Sequence, residues 1–94
     1  MTIREIIWLD QIVEKLAVKH AVETYEVEEA LEGKPKIRFV EKGERKNENV
    51  YIALGQTDAG RYLSILFIYK QNHDALILSA RDMAFKEKRL YGRK

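Results

Sequence analysis

Arg61 and Arg81 flank two consecutive apolar runs, one opening at Tyr62 and ending at Tyr69, the other covering Ala75 to Ala80. If those runs pair as antiparallel strands, the start of the first lies beside the end of the second, and the two arginines share one sheet edge. Guanidinium groups stay charged and bind phosphate through two parallel N–H groups, so such a pair can clamp a phosphodiester. The same pair can equally bridge to acids on the rim. Six residues on, Glu87 and Tyr91 stand four apart with Lys86 adjacent, a spacing that makes them neighbours on a helix. A carboxylate there serves as a base only if its pKa is raised, and a tyrosine can orient a group or stack on a nucleobase. His20 follows Lys19 and exchanges a proton near neutrality when unperturbed, yet at a helix C-terminus it can also act structurally, as an imidazolium held by the dipole.

Cleavage of RNA without a metal needs a group to accept the 2′-hydroxyl proton, cations around the crowded phosphate, and an acid for the leaving oxygen. Arginine, lysine, glutamate, histidine and tyrosine suffice, and this chain has all five. It has no glycine-rich phosphate loop, no nucleophile elbow and no metal-spaced histidine and cysteine set, and His73 sits apart in a turn beside Asn72 and Asp74. No cofactor and no metal are therefore expected.

The elements that must position these residues follow from periodicity. Ile3, Ile6, Ile7 and Trp8 make a strand-like start. Asp10 is placed to cap a helix running to about Lys19, in which Ile12, Leu16 and His20 recur every four residues. Thr24 is placed to cap a second helix, Tyr25 to Glu32, closed by Gly33 and Pro35. After Pro35 the period becomes two. Lys36 to Glu41, then Val50, Ile52 and Leu54, then Arg61 to Tyr69, then Ala75 to Ala80 read as strands joined by polar turns. Asp82 is placed to cap a closing helix from Met83 to about Tyr91, on which Lys86, Arg89 and Arg93 share a side. The expected fold is a single α+β domain over residues 1–94: an antiparallel sheet of three to four strands, two N-terminal helices and a C-terminal helix. The row Val50, Ile52 and Leu54 reads either as core or as a partner-binding groove.

Composition narrows the setting. With no cysteine among 94 residues, neither disulfides nor thiolate metal sites supplement the core. The longest near-apolar run, Tyr62 to Tyr69, falls far below the roughly 18–20 residues of a membrane-spanning helix. The first residues carry no signal-peptide pattern, so a soluble cytoplasmic protein is expected. The net charge of +2 hides an asymmetry: residues 1–33 hold eight acids against three bases, whereas residues 81–94 hold six bases against two acids. The basic end suits phosphate, or simply solvates a helix face.

Taken in order, Trp8, Lys19-His20-Ala21-Val22, Tyr25-Glu26-Val27-Glu28-Glu29-Ala30, Tyr51-Ile52-Ala53-Leu54-Gly55, Gly60-Arg61-Tyr62-Leu63, and Leu78-Ser79-Ala80-Arg81 with Glu87 and Tyr91 resemble the BrnT-type toxin family over nearly the whole chain. The resemblance implies a RelE-like fold, endonucleolytic cleavage of RNA that inhibits translation, and neutralisation by a cognate DNA-binding antitoxin in a type II toxin–antitoxin pair. It points to Arg61, Arg81, Glu87, Tyr91 and His20 as catalytic positions and to Lys86, Arg89, Arg93 and Lys19 as RNA-binding ones. The partners it implies are an antitoxin and an RNA substrate, with no membrane and no direct DNA contact. The chain departs from the family pattern at Ala21, where glycine is common after the histidine, and at Leu16 and Ile12, where polar residues are common. Those changes make the first helix more apolar and favour packing for His20. The competing expectation is a non-catalytic module that keeps the fold and binds protein or RNA; an orphan structural domain comes third.

Overall fold

In a computed structural model that describes residues 1–93, the chain runs β1 (Ile6–Ile7), α1 (Asp10–His20), α2 (Thr24–Glu32), β2 (Lys36–Glu41), β3 (Asn49–Gln56), β4 (Tyr62–Tyr69), β5 (Ala75–Asp82) and α3 (Phe85–Gly92). The fold is α+β, but the sheet has five strands rather than three or four, in the order β1-β5-β4-β3-β2. It is also mixed. β2 to β5 form an antiparallel meander, and β1 adds to its edge in parallel, Ile6 opposite Ala75 and Ile7 opposite Leu76. The Arg4 guanidinium donates to both carboxylate oxygens of Asp74 at 3.0 and 3.1 Å, fastening this short strand to the turn that precedes β5.

Alternation along the strands divides the sheet into two faces. One face carries Ala53, Leu63, Ile65, Phe67, Ile77 and Ala80, all fully buried beneath Leu16 of α1, Val22, and Val27, Ala30 and Leu31 of α2. Gly55 lets α2 approach β3 closely, since a Cβ there would lie 2.6 Å from the Ala30 carbonyl oxygen. The other face carries the row Lys36, Leu54, Ser64 and Arg81, which are register partners, and α3 lies across that row. Of the ambiguous row, Leu54 is core beneath α3, Val50 is buried, and Ile52 is half-buried on a stretch no helix covers.

Three expected caps are displaced. Asp10 lies inside the first turn of α1, with Leu9 at the N-cap, and makes no capping bond. At α2 the N-cap is Glu23 rather than Thr24, and its backbone N–H donates to Oε1 of Glu26 at 3.0 Å. Asp82 ends β5 instead of starting α3; Ala84 takes the N-cap, its N–H donating to Oε1 of Glu87 at 2.7 Å. In both helices the glutamate at the third position satisfies an N–H that the helix leaves orphaned. Arg93 falls just past the end of α3 in extended conformation, so it does not continue the side shared by Lys86 and Arg89. No described helix is long and apolar enough to cross a membrane.

The C-terminus of α1 turns at Ala21, which has φ 52° and ψ 40°, while the next residue, Val22, is buried and donates its N–H to the Leu16 carbonyl at 3.0 Å. A left-handed alanine costs about 1–2 kcal/mol relative to glycine's freedom there. Ala21→Gly should therefore raise stability by about 0.5–1 kcal/mol, whereas Gly55→Ala should lower it by about 1–3 kcal/mol by pushing α2 off β3. Urea unfolding at fixed pH reads both, and opposite signs are expected.

Candidate functional site

The residues singled out for chemistry gather at one end of the sheet, where β4 begins and β5 ends, but they divide between its two faces. On the α1–α2 face stands Arg61. Its Nε and Nη2 donate to the two carboxylate oxygens of Asp82 at 2.7 and 3.1 Å. Nη1 donates to the Ala21 carbonyl at 2.7 Å and to the Glu26 carboxylate at 3.1–3.2 Å, and Nη2 also reaches the His20 carbonyl at 3.1 Å. Five N–H groups thus meet two carboxylates and two carbonyls, which leaves none for a phosphate. The pair of rim arginines does not converge: Arg61 is a tie between α1, α2, β4 and β5. The carboxylates raise its pKa still further, Asp82 most of all.

Arg81 sits one residue before Asp82 and so points to the α3 face. Its Nη1 and Nη2 grip Glu87 end-on at 2.7 and 3.0 Å, and Nη1 also donates to the Asp82 carbonyl at 3.1 Å. The side-on edge, Nε–H and the outer Nη2–H, has no partner among the described residues, and the side chain is half-exposed. An edge of this kind accepts two oxygens of a phosphate or carboxylate. Its guanidinium pKa is raised, chiefly by the hydrogen bond with Glu87.

Glu87 accepts four hydrogen bonds: two from Arg81, one from the Ala84 N–H and one from the Ser64 hydroxyl at 3.2 Å. The hydrogen bonding from Arg81 leads in holding its carboxyl below the usual range, against the opposing effect of burial. A general base would require the reverse shift, so near neutral pH Glu87 orients Arg81 and anchors α3 as an anion. Tyr91 packs edge-on against Tyr62 with ring centroids 6.0 Å apart, and the Lys88 ammonium lies 5.6 Å from the Tyr62 centroid. Lys86 and Arg89 are exposed on α3 and Lys19 on α1. Arg93 is exposed beyond the helix, and its carbonyl and that of Leu90 accept from the Lys36 ammonium.

His20 is half-buried at the end of α1, near enough to Asp82 to help depress that carboxyl, after Arg61 and alongside Lys88. It therefore belongs with Arg61 on the opposite side of β5 from the Arg81–Glu87 pair. Asp82, Glu26, Ser64, Tyr62 and Lys88 joined the site without having been singled out. Ser64 left a trace in the sequence as the one small polar residue within an apolar strand. Phe85, 74% exposed at the start of α3, is an aromatic side chain outside the core. Among the described residues no group of three or more histidine, aspartate or glutamate side chains is placed to hold a metal ion.

Comparison of the chain with protein-family models and with curated proteins finds no match. The two arginine–carboxylate pairs fix the acid limb of stability. Both carboxyls are depressed in the folded state, so their contribution is complete above the ordinary carboxylate range, about pH 4, and is lost as pH falls through their folded values. Unfolding midpoints from pH 6 down to 2.5 should therefore decline, and Asp82→Asn with Glu87→Gln should flatten that decline. At neutral pH, Arg61→Ala should destabilise by about 1.5–3 kcal/mol, because it strands the Glu26 carboxylate and two helix-end carbonyls.

Proposed function

We propose that the chain is a BrnT-type toxin with a RelE-like fold: a cytoplasmic, metal-independent endoribonuclease that cleaves RNA, inhibits translation and is neutralised by a cognate DNA-binding antitoxin. The observation that carries this reading is the side-on edge of Arg81, which has no acceptor among the described residues while Glu87 grips the guanidinium end-on. Lys86 and the exposed ring of Phe85 lie next in sequence. A fixed guanidinium edge in partial exposure suits a phosphodiester whose charge grows in the transition state. An exposed ring at the start of α3 suits an unstacked base of single-stranded RNA.

Within this reading the roles shift from those the sequence suggested. Arg81 binds the scissile phosphate and stabilises the pentacoordinate state, and Lys86 and Arg89 neutralise flanking phosphates. Glu87 positions Arg81. Arg61 holds the end of α1, and with it His20, against the sheet. His20 stands with Arg61 on the opposite side of β5 from Arg81, so the 2′-hydroxyl proton is not assigned to it. The attacking 2′-oxygen gives its proton to solvent and forms a bond to phosphorus as the bond to the 5′-oxygen breaks, and the 5′-oxygen takes a proton from solvent. Tyr91 supports the site through Tyr62. The left-handed Ala21 also supports the family resemblance: its backbone is the conformation that glycine, common there among BrnT-type sequences, adopts without strain.

The test is mapping of RNA 5′ ends in bacteria before and shortly after induction of the chain. New ends are expected with the parent and not with Arg81→Ala at equal abundance. With purified protein, Arg81→Ala should lower the cleavage rate by about 100-fold or more, and Arg81→Lys should not restore it because one ammonium cannot span two phosphate oxygens. If Glu87 only positions Arg81, Glu87→Gln should keep the pH profile of the residual activity.

A further inference from the structure

At the end of α2 the helix-covered face of the sheet opens into a cavity of about 1000 Å³. Residues 1–6 form one wall, fastened by the Arg4 guanidinium to Asp74 and by the Tyr69 hydroxyl, which donates to the Thr2 carbonyl. The last turn of α2, with Gly33 and Pro35, forms the other. Glu26, at the opposite end of the same helix, holds Arg61, so the cavity stands apart from the arginine–carboxylate cluster.

Its lining is apolar where the walls meet the sheet. Ile37 and Tyr51 come from neighbouring strands, Leu31 from α2, and Ile3 and Ile6 from the N-terminal wall. Other rings hold the Tyr51 ring in place: it stacks on Phe67 with centroids 6.0 Å apart and meets Phe39 and Tyr69 edge-on at 5.9 and 6.2 Å. Sites for small molecules span about 300–1000 Å³ and combine such a lining with a few polar groups that orient the ligand.

The polar groups here are mostly acids. Glu5, Glu28, Glu32 and Arg4 are the charged side chains of the lining, and the amino group of exposed Met1 is the one other charge. Arg4 is engaged, its Nε and Nη2 bound to Asp74. None of the three glutamates makes an ion pair among the described residues, and Glu28 accepts a single long hydrogen bond, from the Trp8 indole at 3.4 Å. Glu28 and Glu32 are four apart with Leu31 between them, so like charges share the face of α2 that carries the apolar contact. They also lie toward the negative end of the helix dipole, and the last turn has no basic residue to offset them. A cation in the cavity relieves both repulsions.

We propose that this cavity binds a small organic cation, a primary ammonium carried on a flat apolar body. The body rests against Leu31, Ile37 and the Tyr51 ring, and the ammonium lies among Glu28, Glu32 and Glu5. An ammonium donates in three directions from one point, which suits carboxylates arriving from two separate elements, and a cation beside a tyrosine ring gains further from the face of that ring. The site is independent of the ribonuclease reading.

The test uses three probes: tryptamine, the anionic indolepropionate of nearly the same shape, and spermidine, a cation without a ring. Each is titrated into isotope-labelled full chain and followed by amide chemical shifts. Tryptamine should move Leu31, Glu32, Gly33, Ile37 and Tyr51, leave Arg81 and Lys86 in place, and bind with a Kd of about 1 mM, the affinity open to a ligand of its size. Indolepropionate and spermidine should bind at least tenfold more weakly. Glu28→Gln with Glu32→Gln should weaken tryptamine at least tenfold while the amides of Ile65 and Ile77 stay where they are; Glu32 is exposed, and glutamine at 28 keeps an acceptor for Trp8, so the fold is retained. Absence of shifts at the cavity, shifts elsewhere instead, equal binding of either control probe, or unchanged affinity in the double variant would overturn the proposal. Cavity shifts that grow with protein concentration in the absence of any amine would also overturn it, in favour of the basic C-terminal helix of a second copy as the occupant.

Discussion

The five N–H groups of Arg61 are the constraint on which the arrangement of this end of the molecule depends. α1 ends without a glycine, so its last carbonyls need a donor from elsewhere, and Arg61 supplies two. The same guanidinium reaches Glu26 in the first turn of α2 and Asp82 at the last residue of β5. A cation at the C-terminal end of one helix is stabilised by that helix's dipole, and an acid at the N-terminal end of the next by its own. One side chain therefore joins two favourable ends that point toward each other. The bonds are charge-assisted and partly shielded from water, which makes them stronger than surface ion pairs.

That tie decides how the neighbouring chemistry is divided. Arg81 and Asp82 are consecutive in a strand and must face opposite ways. With Asp82 held by Arg61 on the helix-covered face, Arg81 is committed to the other, where Glu87 receives it. Glu87 in turn has three tasks: it closes the N-terminus of α3, accepts from Ser64 in the sheet and fixes Arg81. Each task favours the anion, and the sum removes the carboxyl from any part in proton transfer near neutral pH. The cost of a rigid cation is the loss of a base.

Much of the fold was legible in the sequence because it depends on local pattern. The change from a period of four to a period of two after Pro35 marked the meander, and Gly33 marked the end of α2. The parallel β1 was not legible as a pairing, since two residues carry no periodicity and the match to Ala75 and Leu76 joins distant parts of the chain. The caps failed for a related reason. Asp82 and Thr24 are good capping types, but Asp82 was drawn to an arginine twenty-one positions away, and a glutamate one residue earlier than Thr24 took the N-cap. At the site, the residue types were visible while their sidedness was not. Arg61 and Arg81 looked alike until the register and Asp82 separated them, and nothing in the order of residues says that all five donors of one arginine are satisfied within the protein.

The last helix shows why the Arg81 edge is firm despite its exposure. α3 has only eight residues and none of its side chains is fully buried, so packing alone gives it little hold on the sheet. It is fastened at both ends by polar contacts instead: Glu87 to Ser64 and Arg81 near its start, and Lys36 to the Leu90 and Arg93 carbonyls at its finish, with Tyr91 resting on Tyr62 between. The lysine at the C-terminal end and the glutamate at the N-terminal end both act with the helix dipole. Helix and arginine are thus mutually dependent. Removing the Arg81 side chain frees Glu87 from its strongest partner and loosens α3, while removing α3 leaves Arg81 free to rotate and its outward edge without direction. A cation whose free edge points in one direction is best held in this way, by a partner that it holds in turn.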